Sequence, residues 1–184
     1  HHQPRRQRQM CIRDRTLVVI ISIFGPISGA HFNPVVSLIF WFKKIISLSD
    51  LVAYVLFQII GAIFGCLAAN IIFGLPVITI STHVRHDLSQ FLSEILATFG
   101  LVLVIFLARE VARQNIPILV GSYIASAYWF SSSTSFANPA VTIARQFSDT
   151  FTGISPSGIP SFVLAQIFGA ILGYIVVQWL SREM

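Results

Sequence analysis

The chain alternates long apolar stretches with short polar ones, at lengths that fit a lipid bilayer. A helix needs roughly 20 apolar residues to span a membrane, and the pattern predicts such helices over about 51–74, 88–108 and 160–180. A shorter stretch over 116–134 is polar at its end, and 16–24 has the character of the latter half of a helix. We therefore predict an all-α integral membrane protein.

Two further apolar segments, about 33–43 and 138–147, are only some ten residues long. Segments of that length are too short to span a bilayer and favour re-entrant half-helices. They also begin alike, with HFNPVVSLIF at 31–40 and FANPAVTIAR at 136–145. The sequence therefore predicts two related half-helices, one in each half of the chain.

The likeness between the two halves extends into the spanning helices. AYVLFQIIGAIFGCL at 53–67 aligns with SFVLAQIFGAILGYI at 161–175. Asn33 and Asn138 are 105 positions apart, and the glutamines of the aligned helices are 108 apart. Near-equal offsets predict a duplicated unit, here of three spanning helices and one half-helix. Because three spans is an odd number, the second copy must be inverted in the membrane. We expect the first helix and part of the second to be missing from the first copy.

Composition agrees with a membrane protein and argues against other classes. Hydrophobic residues make up 55% of the chain and charged residues 10%, whereas soluble domains carry roughly 25% charged residues. Much of the net charge of +5 comes from arginines near the start of the chain: Arg5, Arg6, Arg8, Arg13 and Arg15. We expect no nucleic-acid binding, because that requires a basic face on a folded domain. The two cysteines predict no disulfide framework.

Residues 1–15 differ in character from the rest of the chain, since a basic segment runs directly into the apolar LVVIISIF. It is not a secretory signal peptide, because no small-residue cleavage site follows an apolar core. We predict an artefactual or disordered leader over 1–15 and a transmembrane domain over 16–184. A genuine basic cytoplasmic tail is the alternative.

Each short segment opens with Asn-Pro, at Asn33-Pro34 and Asn138-Pro139. Proline fits the first helical turn because its missing N–H would have no partner there, and asparagine caps the helix. Two half-helix N-termini at the midplane would place partial positive charge and amide donors together. Such a centre binds the oxygen of water or an alcohol and repels cations. No Ser/His/Asp, Cys/His or metal-ligand spacing occurs, so we predict no enzyme, metal site or cofactor.

Paired motifs in a duplicated unit carry a family resemblance. Through GPISGAHFNPVVS, the Q-x-x-G-A-x-x-G helices and SFANPAVTIAR, residues 16–181 resemble the aquaporin and glycerol-facilitator channels. The resemblance implies an aquaporin-like inverted repeat over 16–184, a homotetramer in the lipid bilayer, and passive passage of small neutral solutes. It implies that two motifs line the pore: Asn33, Pro34 and Val35, and Asn138, Pro139 and Ala140. The family usually has alanine where Val35 stands, so we expect a more crowded contact between the half-helices.

The outer constriction departs further from the family pattern. Most members carry arginine directly after the second motif, where this chain has Val141, with Arg145 one helical turn further on. Because a guanidinium is both a fixed charge and a set of donors, we expect a wider and more apolar constriction. By resemblance Ser135 is a wall position. The wall position on the fifth helix falls at Ser126 or at Tyr128, depending on the end from which the helix is counted.

The segment SFANPAVTIARQFSDTFTGI also looks like bacterial channels encoded beside arsenic-resistance genes. That resemblance implies trivalent arsenic hydroxides as cargo, which are neutral and physically similar to glycerol, and a location in the bacterial inner membrane. A coupled secondary transporter of small solutes is the alternative function, because inverted repeats with broken helices also occur in such transporters.

Basic loop residues predict the orientation, since cytoplasmic loops carry an excess of lysine and arginine. Arg85 lies in a loop on one side of the membrane, and five basic residues fall on the opposite side: Lys43, Lys44, Arg109, Arg113 and Arg182. The first half-helix is therefore expected to enter from the cytoplasm and the second from outside.

Two ionisable residues in apolar surroundings each have two interpretations. His31, two residues before Asn33, either lines the cytoplasmic vestibule or packs to hold its loop; the resemblance favours the vestibule. Glu94 lies within the predicted helix 88–108, and an acid inside the membrane is a candidate functional group. A proton relay competes there with a structural role, in which the carboxylate accepts hydrogen bonds from a re-entrant loop. The resemblance favours the structural role.

Overall fold

The structure, a computed structural model, describes the backbone of residues 3–182 and the side chains of residues 15–182. This part of the chain is helical and contains no β-strand. The helices are α1 (Gln3–Ser28), α2 (Pro34–Phe42), α3 (Leu48–Ile72), α4 (Leu88–Val111), α5 (Ile116–Phe130), α6 (Pro139–Ala144) and α7 (Ile159–Leu180). Short 3₁₀ turns precede α5, follow α6 and precede α7. Among the described residues α3, α4 and α7 are long and apolar enough to cross a membrane.

The predicted all-α membrane fold is confirmed, and the bounds of α2 to α5 and of α7 agree closely with the sequence pattern. Both half-helices begin at the proline of an Asn-Pro pair. The second is shorter than predicted, because regular α-helix ends at Ala144 and a 3₁₀ turn continues to Phe147.

Helix α1 extends further towards the N-terminus than the sequence pattern suggested. It begins at Gln3, so the backbone from Gln3 to Arg15, within the predicted leader, is helical and continuous with the rest of α1. The side chains of residues 1–14 lie outside the described part of the chain. The division into a leader over 1–15 and a domain over 16–184 therefore stays a prediction.

The two copies of the duplicated unit differ in how their glycines pack. Gly169 and Gly173 of α7 lie directly against the backbone carbonyls of Ile95 and Phe99 of α4, with no room for a Cβ. Small residues at this spacing let helices approach closely in lipid. The counterparts in α3, Gly61 and Gly65, have no heavy atom within 4 Å of an added Cβ. (Gly61 corresponds to Gly169.) Among the described residues this close approach is therefore made in the second copy only.

The outer surface of the helices is apolar, and charged residues lie at the two ends of the molecule. Large side chains such as Phe57, with 76% of its surface exposed, and Phe64 face outward from α3. At one end Lys43 Nζ lies 3.9 Å from Glu110 Oε1, next to Arg109. Arg85 lies at the other end, beside the start of α7. The basic loop residues thus divide between two ends, as positions on two sides of a bilayer require.

The packing of α7 on α4 leads to a matched pair of substitutions. Gly169→Ala forces a methyl group against a backbone carbonyl, and overpacking of this kind costs about 1–3 kcal/mol. Gly61→Ala makes the same change in helix propensity without a clash. We expect Gly169→Ala to lower the unfolding temperature of the detergent-solubilised protein relative to Gly61→Ala. Equal unfolding temperatures for the two variants would contradict this account of the α4–α7 contact.

Candidate functional site

The two half-helices meet through their asparagines, each of which serves both copies. Asn33 Oδ1 accepts from the N–H of Val35 at 3.2 Å, capping α2, and its Nδ2 donates to the carbonyl of Ala137 at 2.7 Å. Asn138 Oδ1 accepts from the N–H of Ala140 at 3.0 Å, capping α6. Its Nδ2 donates to the carbonyl of Phe32 at 2.8 Å. Each half-helix is therefore capped by its own asparagine and bonded to the loop of the other half.

The carbonyls that accept these crossed bonds belong to residues with unusual backbone angles. Phe32 has φ 45° and Ala137 has φ 46°, in the left-handed region that residues other than glycine adopt at a cost of roughly 1–2 kcal/mol. Both residues directly precede an Asn-Pro pair, so the two copies share this turn. Ala30 and Ser135, two residues earlier, also have positive φ. The strained turn is a feature of the duplicated unit rather than of one loop.

Glu94 holds the loop before the second half-helix. Its side chain is fully buried, and its carboxylate accepts from the N–H groups of Phe136 and Ala137, both at 2.8 Å. The Ser133 hydroxyl donates to it at 2.6 Å and Gln166 Nε2 at 2.7 Å. A carboxylate removed from water needs such donors to compensate its lost hydration. Glu94 thus joins α4 and α7 to the strained turn.

A cavity of about 420 Å³ runs along the contact between the two halves. Both asparagines line it, together with Val141 towards one end and Arg109 and Ile116 towards the other. Most of the remaining lining is apolar. Among the described residues no group of three His, Cys, Asp or Glu side chains is arranged to hold a metal ion. The cavity, called the passage below, is largely apolar, with its amide groups concentrated at Asn33 and Asn138.

His31 lines this cavity and is also packed. Its ring lies 4.0 Å from that of Phe40 and 4.8 Å from that of Tyr54. Its Nδ1 is 3.1 Å from the hydroxyl of Ser37. His31 is thus both packed and part of the cavity lining, and its role in a cytoplasmic vestibule stays a prediction.

The predicted wall residues Val141 and Ser135 differ in position. Val141 lines the cavity, and its place in a constriction, which the family resemblance implies, stays a prediction. Ser135 is fully buried and lies outside the lining, because its left-handed φ of 50° places it within the tight turn, where its N–H donates to the Ser133 hydroxyl. The neighbouring Phe136 lines the cavity instead.

Neither alternative on α5, Ser126 or Tyr128, is among the residues that line the cavity. Ser126 is exposed, and its hydroxyl donates to the carbonyl of Ser122 at 2.9 Å. Tyr128 is half-buried and follows the cavity-lining Ile124 by one helical turn. Which of the two residues is a wall position therefore stays a prediction.

The sequence analysis missed two contributors to the outer end, Arg85 and Phe136. The Phe136 ring centroid lies 5.5 Å from the central guanidinium carbon of Arg85 and 4.6 Å from that of Arg145. Burial lowers the pKa of Arg85, while the charge of Glu94 opposes that shift. One signal was available in the sequence, since Arg85 is the basic residue predicted to lie in a loop on the outer side. No local pattern pointed to Phe136.

Comparisons with known proteins agree on one family. Residues 11–136 match the family described as major intrinsic protein. The chain is 48% identical over 166 residues to aquaglyceroporin AqpS of Rhizobium meliloti, covering 90% of this chain and 71% of that protein. An uncharacterized aquaporin-like protein of Haemophilus influenzae is 27% identical, with coverage of 92% and 88%. Aquaporin-4 of Mus musculus is 32% identical, and there the match covers 84% of this chain but 45% of the relative.

The Glu94 contacts predict a large effect on stability. Glu94→Ala leaves the N–H groups of Phe136 and Ala137 buried without an acceptor, at about 1–3 kcal/mol for each such group. We expect a marked loss of folded protein and a lower unfolding temperature in detergent. Glu110→Ala is the matched control, because Glu110 is a half-exposed carboxylate near the end of the same helix. An equal effect of the two substitutions would show that the buried carboxylate does not anchor the loop.

Proposed function

Because the chain belongs to the major intrinsic protein family, a family of passive channels for water and glycerol, we propose that its own pore favours neutral solutes bulkier than water. Glycerol-like polyols and trivalent arsenic hydroxides are the proposed cargo. The observation that carries the proposal is the apolar side chain of Val141 in the wall of the passage, where most family members have arginine.

The centre of the passage supplies the hydrogen bonds that such solutes need. Each asparagine amide nitrogen has two N–H donors, and one of them is used in the crossed bond to the other half. The second donor of Asn33 and of Asn138 is available to a solute oxygen. The N-termini of α2 and α6 add partial positive charge at the same point. This combination favours hydroxyl oxygens and disfavours cations, protons included.

The outer end of the passage then selects by size and polarity. An arginine in place of Val141 would occupy the passage and present several donors, which suits water and restricts larger solutes. A valine leaves more space and binds no water strongly. Trivalent arsenic hydroxide is uncharged at physiological pH and carries several hydroxyl groups, so the same wall that admits glycerol admits it.

The arrangement of charged groups argues against the alternative of a coupled transporter. Coupling requires an ionisable or cation-binding cluster at the midplane. Glu94 is the acid near that depth, and its carboxylate accepts four hydrogen bonds from protein donors. It does not line the passage. No ionisable group among the cavity-lining residues adjoins the two asparagines, apart from His31.

The assembly and location follow from the same resemblance. We infer a homotetramer, in which each chain has its own passage, in a bacterial inner membrane. The AqpS relative from a bacterium and the apolar outer surface of α3 support this inference.

Proteoliposomes test the channel directly. Vesicles containing the protein should swell faster than empty vesicles in an isosmotic glycerol gradient, because the pore passes glycerol without coupling. The rate should not depend on a sodium or proton gradient. Light scattering in a stopped-flow instrument measures the swelling. Uptake that requires either ion gradient would support the transporter and overturn the channel.

Substitution of Val141 tests the selectivity. Val141→Arg places a guanidinium in the passage, so glycerol and arsenite permeation should fall while water permeation persists. Val141→Thr is the control, because threonine has nearly the same shape and no charge, and it should retain all three fluxes. Arsenite uptake is measured by mass spectrometry of the vesicle contents. Unchanged arsenite flux through Val141→Arg would refute the proposed role of this position.

A further inference from the structure

Arg85 lies in the loop between α3 and α4, residues 73–87, yet only 7% of its surface is exposed. All three of its guanidinium nitrogens donate to backbone carbonyls. Nε donates to Gly153 at 2.8 Å, and the two Nη atoms donate to Ser133 at 3.1 Å and to Phe151 at 2.8 Å. Hydrogen bonds from a charged donor are stronger than those between neutral groups. Arg85 therefore occupies a specific site rather than an exposed loop position.

The three acceptor carbonyls lie on both sides of the second half-helix. Ser133 belongs to the segment that leads into Asn138, whereas Phe151 and Gly153 belong to the segment that returns from α6. One guanidinium, with its planar fork of donors, thus joins the two limbs of the re-entrant loop. Arg85 itself belongs to a different loop, between α3 and α4.

Backbone pairing fixes the loop that carries Arg85 to the same region. The N–H of Ser81 donates to the carbonyl of Gln146 at 2.8 Å, and the N–H of Ser155 donates to the carbonyl of His83 at 2.8 Å. These bonds are made on either side of the α6 return segment. The position of the Arg85 backbone is therefore set independently of its side chain.

The guanidinium also reaches the wall of the passage. Ser133 is held at its carbonyl by Arg85 and at its hydroxyl by Glu94, the latter at 2.6 Å. Three residues further on, Phe136 lines the passage, and its ring centroid lies 5.5 Å from the Arg85 guanidinium carbon. Arg85 thus contacts a wall residue without itself lining the passage.

We propose that Arg85 is a positioning residue for selectivity, which holds the turn at Ser133 and the ring of Phe136 so that they set the bore opposite Val141. The inference rests on the proposed function. An arginine at the position of Val141 would act inside the passage through its own donors. Three of the five N–H donors of Arg85 are bonded to carbonyls, and Arg85 is not among the residues that line the passage, so it shapes the wall without binding the solute.

Two substitutions of Arg85 separate this role from general stability. Arg85→Lys keeps the charge, but an ammonium on a flexible stem cannot reproduce three bonds in the fixed geometry of the fork. Arg85→Gln removes the charge as well. His86→Gln is the matched control, because His86 is the exposed neighbour in the same loop. The readouts are the ratio of erythritol to water permeability in proteoliposomes, and hydrogen–deuterium exchange at the amides of residues 133–137.

We expect Arg85→Lys to fold and to raise the erythritol-to-water ratio severalfold, with faster exchange at Phe136 and Ala137. His86→Gln should keep the ratio and the exchange of the unmodified protein. A uniform loss of all fluxes at an unchanged ratio would overturn the proposal, since it indicates only less folded protein. If Arg85→Gln fails to fold, Arg85→Lys decides alone.

The failure of this inference is distinguishable from that of the proposed function. Vesicles with the unmodified protein that pass neither water nor glycerol would refute the channel. Unchanged exchange at Phe136 and Ala137 in Arg85→Lys would refute the positioning role, whatever the vesicles conduct.

Discussion

The two Asn-Pro segments complete each other's hydrogen bonds, and the rest of the structure depends on that exchange. A loop that enters a bilayer exposes backbone groups that no water can satisfy, at several kcal/mol for each group. Here Asn33 bonds to the carbonyl of Ala137 and Asn138 to that of Phe32. Neither half-helix is fully satisfied alone, so both must be present at one depth, and the passage forms where they meet.

This contact has a conformational cost that the surrounding helices must offset. The acceptor residues Phe32 and Ala137 have left-handed backbone angles, which persist only where neighbouring structure determines them. In the second copy Glu94 holds the turn in this conformation, because its carboxylate accepts from two consecutive N–H groups of the turn. Arg85, from the loop between α3 and α4, donates to carbonyls of the same re-entrant loop. An anion therefore satisfies the donors and a cation satisfies the acceptors, with Ser133 bonded to both.

Much of the framework could be predicted because its causes are local in the chain. The length of apolar runs set the spanning helices, and proline after asparagine set the first residues of α2 and α6. The details of the wall were less accessible. Counting along α5 left Ser126 and Tyr128 as alternatives, and neither residue lines the cavity. Ser135 was expected in the wall, but its turn encloses it and presents Phe136 instead.

The sequence by itself determined the all-helical membrane fold, the inverted duplication, the two capped half-helices and the absence of an arginine at Val141. These properties depend on the length of the apolar runs, on neighbouring residues such as Asn-Pro, and on the likeness between the two halves of the chain. Only the tertiary structure decided which side chains bind the loop that carries the passage wall. Arg85 and Ser133 are 48 positions apart, and Glu94 and Ala137 are 43 apart. Pairings at such separations depend on how strained turns aim their side chains and carbonyls, and no pattern of neighbouring residues encodes that direction.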